Sequence, residues 1–282
     1  MIEVKNLCKT YGSLLALDDV SLTIHAGSIT GILGPNGAGK TTLFKILTEL
    51  IRPTSGEFSI ASEKAKKVGA IIENPHLYEY LSAKENLMVF MQYQGLKVDS
   101  DLLNKKLEEV GLDPERTDRV KQFSLGMKQR LGIATALLNE PDALILDEPF
   151  LGLDPMGMKD LRQMMKNLSK NRSIAILVSS HQIEELSKAC EFLYLLNRGR
   201  ITSHGKTSDI LHRATQKFKI KGPKISESPL FNDLVYDHSG ETCWVSCNQN
   251  EAAVLVKNLI NTGYQIDEFK PELNLENLYQ NT

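Results

Sequence analysis

Residues 34–42 read Gly-Pro-Asn-Gly-Ala-Gly-Lys-Thr-Thr, placing Gly34, Gly39, Lys40 and Thr41 at the spacing G-x-x-x-x-G-K-[ST]. No other stretch constrains the fold as tightly. The run before it, residues 28–33, reads as a buried apolar strand, and within 42–50 Leu43, Ile46, Leu47 and Leu50 recur at helical spacing. Strand, glycine-rich loop and helix follow in the order of a parallel α/β unit. Glycines let backbone N–H groups curl around an anion, and the helix N-terminus adds its dipole and unpaired donors. The cradle therefore comprises Gly34, Asn36, Gly37, Ala38, Gly39 and Thr42, with Lys40 as a point charge for terminal phosphates and Thr41 as a hydroxyl ligand for Mg²⁺.

The 282 residues suffice for one large domain and a small one. Lys+Arg number 33 against Asp+Glu 35, so no overall basic field recruits nucleic acid. Cys8, Cys190, Cys243 and Cys247 are scattered behind no secretory signal, which predicts reduced cytosolic thiols. Cys243 and Cys247 form a C-x-x-x-C without a second ligand pair, a poor zinc pattern. No apolar run approaches the roughly 18 residues that span a bilayer, so any membrane role requires another chain to do the spanning.

Two strand-like runs, 2–7 and 17–24, precede the glycine loop and predict an antiparallel layer. Between them Tyr11 offers either a stacking face for adenine or ordinary packing. After the first helix, 52–56 reads as a turn and 68–72 as a strand ending at Glu73, an acid placed either to approach a metal or simply to face water. From about 76 to 140 the texture is helical, with a capping box at Ser82 and Glu85 and a helix over 100–110. This insertion ends in Phe123-Ser-Leu-Gly-Met127, a glycine turn opening another helix, which suits an anion but is equally an ordinary turn.

Residues 143–146 form a short apolar strand that delivers Asp147 and Glu148 at its end. Paired acids at a buried strand end require a cation or a solvent cleft. Asp147 suits a Mg²⁺ held through its water shell, and Glu148 suits the orientation or deprotonation of an attacking water. Asp154 follows in a sharp turn. A strand over 173–178 leads to His181, which either contacts a terminal phosphate or fills surface. Strands over 192–196 and 200–203 and a helix over 207–214 close domain 1–214. Residues 215–282 predict a small accessory α+β unit with a helix over 251–260 and a strand over 264–269.

Across residues 1 to about 210 this order resembles the ATP-binding subunit of an ABC transporter. Tyr11 corresponds to the adenine-stacking aromatic, 34–42 to Walker A, 143–148 to Walker B with its catalytic glutamate, 153–155 to the D-loop and His181 to the switch histidine. The resemblance implies an α/β fold of P-loop NTPase (ABC) type, with an antiparallel β layer and a helical subdomain. It also implies ATP and Mg²⁺ as ligands and hydrolysis by Lys40, Glu148 and His181. Thr41, Glu73 and Asp147 would serve the metal, and Ser124, Gly126 and Asp154 the nucleotide, across a head-to-tail homodimer or a heterodimer with a related ATPase. The partner would be a transmembrane permease, reached from the cytoplasmic face of the membrane; no nucleic acid is expected.

Two departures stand out. The usual L-S-G-G-Q signature is Phe123-Ser124-Leu125-Gly126-Met127, and the usual Q-loop glutamine is Glu73, which keeps an oxygen ligand but loses the amide donor. With the run 71–78 and the small C-terminal unit, these resemble the subgroup that exports bacitracin or lantibiotics or protects against them. The rival class is a soluble ABC ATPase acting on ribosomes or nucleic acid. Such proteins carry paired cassettes or long coiled coils, which do not fit in 282 residues. A non-hydrolysing subunit is disfavoured by the intact Lys40, Asp147, Glu148 and His181.

Overall fold

The computed structural model describes residues 1–64, 67–231 and 235–279, which divide into two compact units, Met1–His204 and Gly205–Thr282. The sequence reading put the change at 214/215. The difference is the last two residues of the strand over 200–206 and helix α7 (Thr207–Ala214), which packs on the strand that follows it.

In the larger unit, β1 (Ile2–Tyr11), β2 (Leu14–Ile24), β3 (Ile29–Leu33), α1 (Lys40–Leu47), β4 (Ser55–Ile60) and β5 (Val68–Ile71) come first. The inserted helices α2 (Ala83–Tyr93), α3 (Ser100–Glu109) and α4 (Leu125–Ala136) follow. Then come β6 (Ala143–Leu146), α5 (Pro155–Arg172), β7 (Ala175–Ser180), α6 (Ile183–Ala189), β8 (Phe192–Asn197) and β9 (Arg200–Lys206). One sheet runs β5-β6-β7-β3-β8-β9, with β5, β6, β7, β3 and β8 parallel. Every residue of β3, β6 and β7 is buried, as strands covered on both faces require.

The second sheet is antiparallel, β2-β1-β4. Its inward side chains, among them Ile2, Val4, Leu17, Val20 and Leu22, share one core with Leu43, Phe44 and Leu47 of α1 and Ile145, Leu177 and Leu196 of the parallel sheet. Each such buried side chain contributes about 1.5–3 kcal/mol. α1 is thereby clamped between two sheets, and the loop preceding it is held from both sides.

The sequence pattern marks 52–56 as a turn and no strand between it and 68; β4 occupies Ser55–Ile60 there and pairs with β1. Its burial pattern is mostly exposed, so no hydrophobic alternation marks it. β1 also runs on to Tyr11, so that residue stands at a strand end paired with Leu14 rather than in an open loop.

The smaller unit forms the antiparallel sheet β11-β12-β10-β13, from β10 (Thr215–Lys221), β11 (Val235–Ser239), β12 (Thr242–Ser246) and β13 (Glu268–Leu273). Helix α8 (Gln249–Asn261) buries Ala252, Leu255 and Leu259 against Phe218, Ile220 and Val245. The final strand lies at Glu268–Leu273 rather than 264–269; Tyr264 and Ile266 instead pack on this core from the connecting loop.

Candidate functional site

The strand order sets the site. β3 lies between β7 and β8, and β7 beside β6, so the segments leaving β3, β6 and β7 meet at one edge of the sheet. The loop after β3 is pinned tightly: a Cβ on Gly34 would stand 2.3 Å from the Leu196 carbonyl oxygen. Gly39 caps α1 at φ 109, and a Cβ there would stand 2.6 Å from the Ala16 carbonyl oxygen. Only glycine allows either approach. No side chain caps α1 and no acid occupies its first turn, leaving the amide donors open to an anion.

Lys40 is nearly buried, and its Nζ donates to the Gly34 carbonyl at 2.6 Å and to Pro35 at 3.3 Å. The same nitrogen lies 3.1 Å from Glu148 Oε1, an ion pair that lacks hydrogen-bond geometry. Thr41 Oγ1 donates to Asp147 Oδ2 at 2.7 Å. Ser179 Oγ donates to Asp147 Oδ1 at 2.6 Å and accepts from Glu148 N at 2.8 Å. Glu148 itself adopts φ 48, the left-handed region that few side chains occupy. This turn aims its Oε2 at His181 Nδ1, 3.0 Å away, and Gln182 Nε2 lies 3.4 Å from the other ring nitrogen.

Lys40, Thr41, Asp147 and Glu148 border a cleft of about 480 Å³, while Ser179, His181 and Gln182 stand behind the two acids and do not line it. Asn36, Gly37, Ala38, Gly39, Lys40, Thr41, Thr42, Asp147 and Glu148 line it. At its mouth stand Tyr11, Leu14 and Leu15, all exposed, with Lys9 Nζ 5.0 Å from the centre of the tyrosine ring. An exposed aromatic and two leucines beside a phosphate cradle form an apolar platform with an anion pocket at its end. The half-buried oxygen pair of Thr41 and Asp147 suits a hard cation such as Mg²⁺. Among the described residues no group of three or more His, Cys, Asp or Glu could hold a metal ion.

Ser124, Gly126 and Asp154 do not reach this cleft. They border another cavity, of about 430 Å³, with Arg130 and Met156. Ser124 caps α4, its hydroxyl accepting from Met127 N at 3.2 Å, and Asp154 caps α5, accepting from Gly157 N at 3.0 Å. Space opens around Gly126, whose added Cβ would meet nothing closer than 3.8 Å. Glu73 borders neither cavity; it is exposed and pairs with Lys45 at 3.3 Å. Sequence reasoning missed Ser179, Leu14, Leu15, Arg198 and Gly199. Arg198 and Gly199 line the cleft because β8 neighbours β3, a pairing no local motif reports.

Fold and site together define a P-loop nucleotide hydrolase whose parallel sheet carries an antiparallel layer and a helical insertion. Residues 17–151 match the model of the ABC transporter family. The bacitracin transport ATP-binding protein BcrA of Bacillus licheniformis is 41% identical over 209 residues, 71% of this chain and 68% of that one. The lantibiotic transport ATP-binding protein SrtF of Streptococcus pyogenes is 41% identical over 206 residues, 71% of this chain and 89% of that one. The dimeric post-hydrolysis structure of the ATP-binding cassette MJ0796, bound to ADP and Pi, superposes with a TM-score of 0.64 at 28% identity, covering 73% of this chain and 99% of that one.

The chain belongs to the ABC transporter ATP-binding proteins, and it binds and hydrolyses ATP. Subunits of this family dimerise and work with transmembrane permease partners. Among the described residues no helix is long and apolar enough to cross a membrane.

Proposed function

We propose that this chain powers a permease that exports a peptide antibiotic of the bacitracin or lantibiotic kind, or protects the cell from it. It would act as a head-to-tail ATP sandwich, peripheral to the cytoplasmic face of the membrane. The names of BcrA and SrtF support the substrate class. One observation carries the sandwich: the phosphate cleft and the Ser124–Gly126 cavity are separate surfaces of one protomer, so Ser124 and Gly126 would meet a phosphate in the cleft only from a second protomer. Exposed Leu125, Leu151 and Met156 around the second cavity support its burial against another protomer. Two copies of this chain satisfy the geometry, as does one copy with a related ATPase subunit.

In this reading the adenine stacks on Tyr11, and the phosphates lie on the amides of residues 36–42. Lys40 exchanges the Gly34 and Pro35 carbonyls for phosphate oxygens. Thr41 and Asp147 would hold Mg²⁺, which would supply positive charge against the phosphates, and Glu73 would join them once it leaves Lys45. Glu148 orients the attacking water and accepts its proton, while His181 keeps Glu148 in line and contacts the terminal phosphate. Ser124 and Gly126 of the second protomer supply a hydroxyl and an N–H to the same phosphate and exclude solvent. Opening and closing of the dimer drives the permease, because nucleotide binds the closed state more tightly.

Glu148→Gln tests the scheme. Hydrolysis should fall by about a thousandfold, and the variant should elute as a dimer with ATP in size-exclusion chromatography. A persistent monomer would sink the sandwich.

A further inference from the structure

Two cations line the nucleotide cleft, Lys40 and Arg198, and the ATPase scheme uses only the first. Between β8 and β9 the chain reverses through Arg198 and Gly199 alone, both at positive φ, 46 and 81, as a type I′ hairpin turn requires. Gly199 fits its place, since a Cβ there would stand 2.8 Å from the Ala16 carbonyl oxygen. Arg198 does not: the first position of such a turn favours Asn, Asp or Gly, and a long side chain held at φ 46 carries strain.

The turn is fastened on two sides. Gly199 N donates to the Ala38 carbonyl of the phosphate loop at 2.9 Å, and the Gly199 carbonyl accepts from Asp18 N of β2 at 2.9 Å. Ala16, against which Gly199 packs, directly follows Leu15 of the apolar platform. The turn therefore stands between that platform and the phosphate loop, with Arg198 exposed and lining the cleft. Neighbouring charges are engaged elsewhere: Asp18 holds Arg200 at 2.6 Å, and Lys9 Nζ donates to the Arg52 carbonyl at 2.7 Å. The Arg198 guanidinium has no hydrogen bond or ion pair among the described residues.

A nucleotide with its base on the platform and its outer phosphates at Lys40 carries its ribose and α-phosphate past this turn. A guanidinium offers five donors and no acceptor, in a planar fork that matches phosphate oxygens. We propose that Arg198 is a nucleotide-binding residue that holds the α-phosphate, the part of ATP that ADP retains. The proposal rests on the cleft being the ATP site with the base on Tyr11. The strain at φ 46 then has a use, because it sets a cation rigidly between the two surfaces that receive the ends of the nucleotide.

Isothermal titration calorimetry of the full chain with ADP reads the contact without turnover. Arg198→Asn, which converts the turn to the favoured Asn-Gly pair, should weaken ADP about fivefold to tenfold. Arg198→Lys should recover part of the loss, because a point charge replaces the fork. KM for ATP should rise by the same factor as the ADP dissociation constant, with a much smaller change in kcat. Added NaCl should weaken ADP binding to the parent more steeply than to Arg198→Asn. Thermal unfolding excludes a merely structural role: Arg198→Asn should have a Tm no lower than the parent's. Unchanged ADP affinity in Arg198→Asn, or a loss accompanied by a lower Tm, would overturn the proposal. Lys40→Ala and Tyr11→Ala separate it from the reading beneath it. If both weaken ADP while Arg198→Asn does not, the Arg198 contact alone falls; if neither does, the cleft is not the ATP site and the proposal falls with it.

Discussion

Ser179 donates its hydroxyl hydrogen to Asp147 Oδ1 at 2.6 Å and, through the same oxygen, receives the backbone N–H of Glu148 at 2.8 Å. One fully buried side chain on β7 thus sets the orientation of both acids that leave β6. Ser179→Ala should destabilise the fold by about 1–3 kcal/mol, since a buried carboxylate oxygen and an N–H lose their partner. The turnover rate should fall about tenfold or more while KM for ATP changes little, because binding to residues 36–42 is untouched. Thermal unfolding and steady-state kinetics measure the two effects.

Tyr11 stands exposed at the mouth of the cleft with Lys9 over its ring. Tyr11→Ala should raise KM for ATP about tenfold with little effect on the turnover rate, whereas Tyr11→Phe should keep both. An unchanged KM in Tyr11→Ala would weigh against base stacking here.

Lys45 and Glu73 form an exposed pair at 3.3 Å, and a metal role for Glu73 requires that pair to open. An exposed pair is worth less than about 1 kcal/mol, so the effects are modest. Lys45→Ala should lower the Mg²⁺ concentration for half-maximal hydrolysis about twofold; Glu73→Ala should raise it by a similar factor. Thr41→Ala provides the reference, with a rise of about tenfold. A Glu73→Ala chain with unchanged Mg²⁺ dependence would remove that residue from the metal site.

A network of charges joins α3 to the segment before β6 and the end of α5. Lys106, fully buried, reaches Glu140 at 2.8 Å and Glu109 at 3.3 Å, and Arg172 reaches Glu109 at 2.6 Å. Its hydrogen bond from Lys106 holds the Glu140 carboxyl below the usual range; burial opposes this, and the charges of Lys106, Arg172 and Lys105 reinforce it. A lowered folded value stabilises the protein above the unfolded carboxylate range, and that contribution disappears as pH falls through the folded value. Tm should therefore drop below about pH 4, and Lys106→Met should show a smaller acid-side drop. At pH 7 the same variant should lose roughly 2 kcal/mol, toward the low side for a broken buried pair because solvent screens the half-exposed Glu140.

The chemistry of the cleft was legible where it is written contiguously. Residues 34–42 and the pair Asp147 and Glu148 carry their roles in their own spacing and in the strands that precede them. Ser179 was not legible, because its role depends on β7 lying beside β6, a fact of sheet order rather than of local pattern. Leu14, Leu15 and Arg198 entered the cleft in the same way. β4 is not legible because one edge pairs with β1 while most of its side chains meet water. In the smaller unit, Tyr264 and Ile266 imitate strand alternation but serve as loop plugs on the core, and the strand that follows tolerates Pro271.

The backbone at Glu148, turned to φ 48, has a meaning beyond this chain's own reaction. A side chain in that region costs about 1 kcal/mol or more, and glycine or asparagine would relax it. The position thus sets endurance against work. A lineage freed from hydrolysing ATP should drift toward the easier residue, and a lineage that retains glutamate here carries a record of selection for turnover that its backbone geometry makes readable.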